Sequence, residues 1–168
     1  MSYTYNQELL NWTFQAEQKN NRRKTFSILI VDDDIMNGNN LKTILSKRGH
    51  NVSFVDDGPE CIIASQENMY DMMFIDYHMK GIDGAQVADI VKNNKTILFA
   101  YTGDNSKKAL EDFKNVGMNG VLIKPFDMDA IDMLMNKMET ATIINKNDIN
   151  LLSRKSGRSV IIFDELRC

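Results

Sequence analysis

Between Phe26 and Met138 the chain alternates short apolar runs with longer stretches in which apolar residues recur at helical spacing. The runs are FSILIV, NVSFV, MMFI, TILFAY and GVLI. Each precedes a helix-like segment, so the pattern predicts five β-α units. The runs are apolar throughout rather than alternating, as strands require when helices cover both faces of a parallel sheet. The predicted fold is a doubly wound α/β domain with a five-stranded parallel sheet. Leu41, Ile44, Leu45 and Arg48 share helical spacing before Gly49, a C-terminal stop, and Asp57-Gly58-Pro59 opens the second helix with a cap and an early proline. Asp83 or Gly84 opens the third helix, Asn105 or Ser106 the fourth and Asp127 the fifth.

Two segments flank the repeat, which divides the chain into 1–24, 25–138 and 139–168. In the first, Tyr5, Leu9, Trp12 and Ala16 fall on one helical face, and Arg22-Arg23-Lys24 reads as a solvated hinge. The last is rich in Asn, Lys, Ser and Ile and carries one apolar run, SVIIF, which suits a strand pairing at an edge. Its roughly 30 residues are too few for an independent DNA-binding domain.

The charge distribution narrows the partners. Net charge is -3, but residues 25–138 carry 17 acidic against 11 basic side chains. An acidic core argues against nucleic acid as the main partner. The start of the chain lacks a basic segment followed by an apolar run, and no stretch approaches the about 20 apolar residues that span a bilayer, so a soluble, cytoplasmic protein is expected. The 2 cysteines, Cys61 and Cys168, have no metal-type or redox-type spacing. Cys61 reads as a small buried hydrophobe, the methionines (among them Met72, Met73, Met133, Met135 and Met138) as adaptable core filling, and His50 as a strand-edge residue.

The chemistry lies in polar residues placed where strands end. Asp32, Asp33 and Asp34 follow the first run, Asp76 the third, Thr102 the fourth and Lys124 the fifth. In an open parallel sheet, ligands bind beyond the carboxyl ends of the strands where the strand order reverses. With the order 2-1-3-4-5, strands 1 and 3 flank that crevice, and the aspartates of both converge there. The intervals of 43 residues from Asp33 to Asp76, 26 to Thr102 and 22 to Lys124 fit two β-α units, then one, then one. Ionised carboxylates gathered in one crevice need a counter-charge. Hard oxygen ligands suit Mg²⁺, which bridges carboxylates to phosphoryl oxygens. Asp76 can act as a nucleophile that forms an acyl phosphate, with Thr102 and Lys124 supplying hydrogen bonding and positive charge to the phosphoryl oxygens. A cis Lys124-Pro125 bond would help to aim the lysine. Asp34 reads as a helix N-cap.

The strings ILIVDDDIMN, YDMMFIDYHMKGIDG, FAYTG and VLIKPF, in this order and spacing, resemble the receiver domains of two-component response regulators, the CheY-like family with a flavodoxin-like fold. The resemblance implies Asp76 as phosphoacceptor, Asp33 as a direct metal ligand, Asp32 as an acidic partner acting through water, and the backbone carbonyl of His78 as completing the metal shell. It also implies that Thr102 and Lys124 contact the phosphoryl group and switch on its arrival. The implied partner is a histidine kinase or a histidine-phosphotransfer protein, and a homodimer through the fourth helix, fourth strand and fifth helix is compatible with it. The chain departs from the family pattern in two places. Lys80 stands where proline usually follows the methionine, and Val121 where many members place the aromatic that swings inward with the threonine, a part for which Tyr101 is a candidate. Gly38 sits inside the first helix without a role readable from sequence. Two competing readings are a haloacid-dehalogenase-type phosphatase, which would use the D-x-D of Asp32-Asp33-Asp34, and a degenerate receiver that binds partners without phosphorylation.

Overall fold

The computed structural model describes residues 24–140 and 160–163; the expected N-terminal helix through Tyr5 and Trp12, and Cys168, lie outside these residues. Strands β1 (Ser27–Val31), β2 (Asn51–Val55), β3 (Met72–Ile75), β4 (Ile97–Thr102) and β5 (Gly120–Ile123) form from the five apolar runs. Helices α1 (Ile35–Lys47), α2 (Gly58–Glu67), α3 (Gly84–Val91) and α4 (Lys107–Asn115) connect them, and α5 (Met128–Thr140) follows β5. All pairings among these five strands are parallel, in the order β2-β1-β3-β4-β5. Among the described residues the sheet is six-stranded rather than five-stranded, because β6 (Val160–Ile162), from within SVIIF, pairs antiparallel with β5.

Side chains alternate between the two faces of the sheet, and each face buries its own set. Ile28, Ile30, Met72, Phe74, Phe99, Tyr101 and Leu122 pack against Leu41 and Leu45 of α1 and Ile131, Leu134 and Met135 of α5. On the other face, Leu29, Val31, Met73, Ile75, Leu98, Ala100 and Val121 pack against α2, α3 and α4 through Cys61, Val87, Ala88 and Phe113. In β3, β4 and β5 both faces are dry, and the polar positions come at the strand ends, whereas edge strand β2 exposes Asn51 and Ser53. Met72, Met73, Met135 and Met138 are core residues as expected, and burial pushes the Cys61 thiol up to about 12, so it is held as a neutral thiol.

Helix starts follow the capping chemistry written in the sequence. Asp34 accepts from the Met36 and Asn37 amides, Asp57 from Glu60, Ser106 from Ala109, and Asp127 from Ala130. Asp83 and Gln86 form a reciprocal capping box at α3.

His50 stands immediately before edge strand β2 yet is shielded from water. It is buried, its Nδ1 accepts from the Phe26 amide at 3.0 Å, and its Nε2 lies 2.7 Å from Oε1 of buried Glu139. Arg48 reaches the same helix through Asp132, Asn136 and Glu139. The end of α1 is thereby tied to the end of α5, at the amino ends of the strands. Among the described residues no helix is long and apolar enough to cross a membrane.

Gly38 acquires a role here. It is buried on the α1 face toward β2, and a Cβ at this position would overlap the ring of Phe54. Gly38→Ala is expected to lower stability by about 1 kcal/mol net, because about 1–3 kcal/mol of overpacking exceeds the roughly 1 kcal/mol gained in helix propensity. Urea denaturation is the measurement, and Phe54→Leu in the same chain should recover most of the loss; a Gly38→Ala chain more stable than the parent would refute the account.

Candidate functional site

β1 lies between β2 and β3, so the connections leaving β1 and β3 diverge to opposite sides and leave a crevice above their carboxyl ends. Asp32 and Asp33 leave the end of β1, and Asp76 leaves the end of β3, where its amide donates to the Val31 carbonyl at 2.8 Å. One carboxylate oxygen from each of the three lies within 4.8 Å of the others. Asp32 is 0 % exposed and Asp76 7 %, while Asp33 is open to solvent. The trio thus has a dry wall and a wet mouth, with oxygen donors only, which is the donor set that Mg²⁺ takes while keeping part of its water.

Asp34 does not join them. Its side chain caps α1, and its amide donates to Asp32 Oδ1 at 2.9 Å, which fixes the Asp32 carboxylate from behind.

Lys124 supplies the positive charge. Its Nζ donates to Asp32 Oδ2 at 2.6 Å and stands 3.7 Å from Asp76 Oδ1. The Lys124-Pro125 bond is cis. The Lys124 amide donates to the Thr102 carbonyl at 2.9 Å, which locks the ends of β4 and β5 together. Thr102 is buried, and its hydroxyl accepts from the Asp104 amide at 3.1 Å. The structure therefore brings Asp32, Asp33, Asp76, Thr102 and Lys124 to the same end of the sheet.

Burial dominates the electrostatics of Asp76. Burial raises the carboxyl most, Lys124 pulls it back, and Asp32 and Asp33 raise it, so that it is pushed up to about 7 in all. Asp76 is thus the carboxylate of the trio that burial and its acidic neighbours shift upward, which favours a cation beside it.

Several neighbours of the site carry no signal in the linear sequence. A Cβ on Gly84 would overlap the Asp76 carbonyl oxygen, and the Gly84 amide donates to the Tyr77 carbonyl at 2.9 Å, so the start of α3 presses directly on the backbone of the Asp76 loop. The Tyr77 hydroxyl donates to Asp112 of α4 at 2.7 Å. His78, with a side chain 69 % exposed, places Nε2 at 2.8 Å from Asp104 Oδ2 and so bridges the β3-α3 and β4-α4 loops. Hydrogen bonds from Ser106, and then from His78, hold the Asp104 carboxyl down to about 2. Val121 is buried in the core, and Tyr101 is the aromatic that reaches the site: the Lys124 ammonium sits over its ring, 4.3 Å from the centroid. Only the spacing of Tyr101 before Thr102 hinted at this. The other contacts pair residues whose separation in sequence gives no cue.

Comparison with known proteins supports the same reading. The model of the response regulator receiver domain matches residues 28–136, which contain every site residue named above. Transcription factor SKN7 of Saccharomyces cerevisiae is 33 % identical over 115 residues, 67 % of this chain and 18 % of that protein, so the chain spans under a fifth of that relative's length. The receiver domain of the sensor histidine kinase PA1611 from Pseudomonas aeruginosa PAO1, solved with a magnesium ion coordinated in its active site cleft, superposes with a TM-score of 0.63 at 21 % identity, covering 70 % of this chain and 100 % of that one. A co-crystal structure of the Saccharomyces cerevisiae histidine phosphotransfer signaling protein Ypd1 and the receiver domain of its downstream response regulator Ssk1 matches with a TM-score of 0.63 at 20 % identity, covering 70 % of this chain and 90 % of the matched one. With the matched segment, the parallel sheet and the acidic trio in agreement, the chain belongs to the response regulator receiver domains, signalling modules of two-component pathways rather than classical enzymes.

Proposed function

We propose that residues 25–138, with β6 added at the sheet edge, accept a phosphoryl group on Asp76 from a phosphohistidine in a Mg²⁺-dependent transfer. The observation that carries this is the placement of Lys124 Nζ 3.7 Å from Asp76 Oδ1, beside three carboxylates whose oxygens lie within 4.8 Å. An oxygen of the Asp76 carboxylate attacks phosphorus, the phosphorus-nitrogen bond to the donor imidazole breaks, and an acyl phosphate remains. Asp33, Asp76 and the His78 backbone carbonyl are the residues to hold Mg²⁺ directly, with Asp32 acting through water. Bound there, the cation neutralises carboxylate and phosphoryl oxygens.

The residues of the chain divide the remaining work. Lys124 exchanges part of its pairing with Asp32 for a phosphoryl oxygen, and the Thr102 hydroxyl, now accepting from Asp104, turns to donate to another. Those two movements change the surface around the β4-α4 loop, which is the signalling output. A histidine kinase or a histidine-phosphotransfer protein as donor accords with the similarity to the Ypd1–Ssk1 structure, and a cytoplasmic location accords with that chemistry. The phosphatase alternative is disfavoured because Asp32, its nucleophile, is 0 % exposed and paired with Lys124.

Incubation with Mg²⁺ and acetyl phosphate should add the mass of one phosphoryl group to the parent chain and none to Asp76→Asn. Asp33→Asn should raise the Mg²⁺ concentration needed by about tenfold or more. An Asp76→Asn chain that still gains the mass would sink the assignment.

The raised Asp76 carboxyl also predicts a pH effect in the metal-free chain. Below about pH 4 folded and unfolded chains are both protonated at this residue; between about 4 and 7 only the folded chain keeps the proton, so stability falls as pH rises and the full penalty is present above about 7. Asp76→Asn removes that penalty. Chemical denaturation in chelator at pH 8 should show the variant more stable by about 2 kcal/mol, allowing for partial solvent access, with the gain disappearing near pH 4.

A further inference from the structure

Sheet order forces Lys124 to work at a distance. β4 and β3 lie between β5, whose end carries the lysine, and β1, whose end carries Asp32, so the Lys124 side chain lies across the strand ends to reach its partner. The strand crossed first is β4, and the side chain it presents on that path is Tyr101. Its ring is 2 % exposed, the Lys124 ammonium lies 4.3 Å from its centroid, and Phe126 backs it with ring centroids 5.9 Å apart. Successive residues of a strand point to opposite faces. The dipeptide Tyr101-Thr102 therefore sets an aromatic face on one side of the Asp76 position and a hydroxyl on the other.

We propose that Tyr101 is the positioning residue for Lys124: its ring face holds the ammonium between Asp32 and Asp76 through a cation–π contact, so that the lysine can pass from carboxylate to phosphoryl oxygen without leaving the crevice. This rests on the phosphoacceptor reading given above. An ammonium has three N–H donors. Asp32 takes one at 2.6 Å, and Asp76 lies beyond hydrogen-bond length at 3.7 Å. Asp32 is thus its one short partner among these carboxylates, and movement toward a phosphoryl oxygen at Asp76 breaks that contact. A ring face attracts the charge over its whole area without demanding one direction, so it supports the ammonium while the other partner changes. The Tyr101 hydroxyl takes no part in the contact. Burial, with the Asp32 and Asp76 carboxylates nearby, raises its pKa and keeps it neutral.

The test separates ring electrostatics from ring shape. Tyr101→Phe, Tyr101→Leu and replacement of Tyr101 by pentafluorophenylalanine are compared in the full chain with Mg²⁺ and acetyl phosphate, following the rate of mass gain at Asp76. Tyr101→Phe should react within about twofold of the parent, whereas the fluorinated ring, of similar shape but inverted quadrupole, and Tyr101→Leu should slow the reaction by about tenfold. Thermal melting of the fluorinated chain should stay near that of Tyr101→Phe, which a purely structural role does not predict alongside the rate loss. In a Lys124→Met background the fluorinated ring should add no further loss. Equal rates for the fluorinated and Tyr101→Phe chains, or a loss that persists undiminished without the lysine, overturns the proposal. If the parent chain gains no phosphoryl mass, the phosphoacceptor reading itself fails and this proposal falls with it; a phosphorylated parent with indifferent Tyr101 variants refutes only the role of the ring.

Discussion

The structure is organised around an electrostatic conflict. Three carboxylates from two distant parts of the chain converge at the carboxyl ends of β1 and β3, and two of them are withdrawn from water. Like charges in a dry corner are tolerated only where something compensates them. Here the compensation comes from a single ammonium brought from the far side of the sheet, with the backbone amide of Asp34 and the capping of α1 steadying the acid that it meets. Take away the parallel order of the strands and neither the conflict nor its resolution exists.

The two ends of the sheet are consequently specialised. At the amino ends, Arg48 and His50 bind α5 to the end of α1 through Asp132, Asn136 and Glu139, and the buried polar atoms there have partners. At the carboxyl ends, the links between loops are few and easily exchanged: an exposed imidazole against a carboxylate, a hydroxyl against an amide, an ammonium poised between two acids. Rigidity at one end and replaceable contacts at the other are what a scaffold needs if an event at Asp76 is to move loops without disturbing the core. Gly84 refines this division, since the close approach of α3 to the Asp76 backbone couples that loop to a helix rather than leaving it free.

Much of this was legible before any coordinates. Strands buried on both faces must be apolar at every position, so FSILIV, MMFI and TILFAY announce themselves, and the first polar residue after each one marks the crevice. Asp32, Asp76 and Thr102 are those residues, with Asp33 next to the first and Lys124 in the same place after GVLI. Sequence periodicity is silent where a residue's meaning depends on a partner far along the chain. His50 reads only as a strand-edge residue until Glu139, 89 positions later, comes to lie against it. Gly38 looks like a helix fault until the Phe54 ring fills the space that it leaves. Tyr101 is a candidate for the switch aromatic by its place next to Thr102, but its contact with the lysine shows only when Lys124 is seen to cross its ring. The sixth strand was foreseeable as an apolar run, but its neighbour and direction were not, because a short edge strand carries no crossover rule to orient it.

That sixth strand has a consequence for assembly. An open sheet margin is a row of unpaired amides and carbonyls ready to recruit another chain. Among the described residues, β6 occupies the margin at β5, while at the opposite margin β2 presents Asn51 and Ser53 outward. Each margin thus carries a feature that blunts strand addition, a 3-residue edge strand at β6 and polar exposed residues at β2. The longer runs of backbone pairing in the molecule are therefore spent within its own sheet.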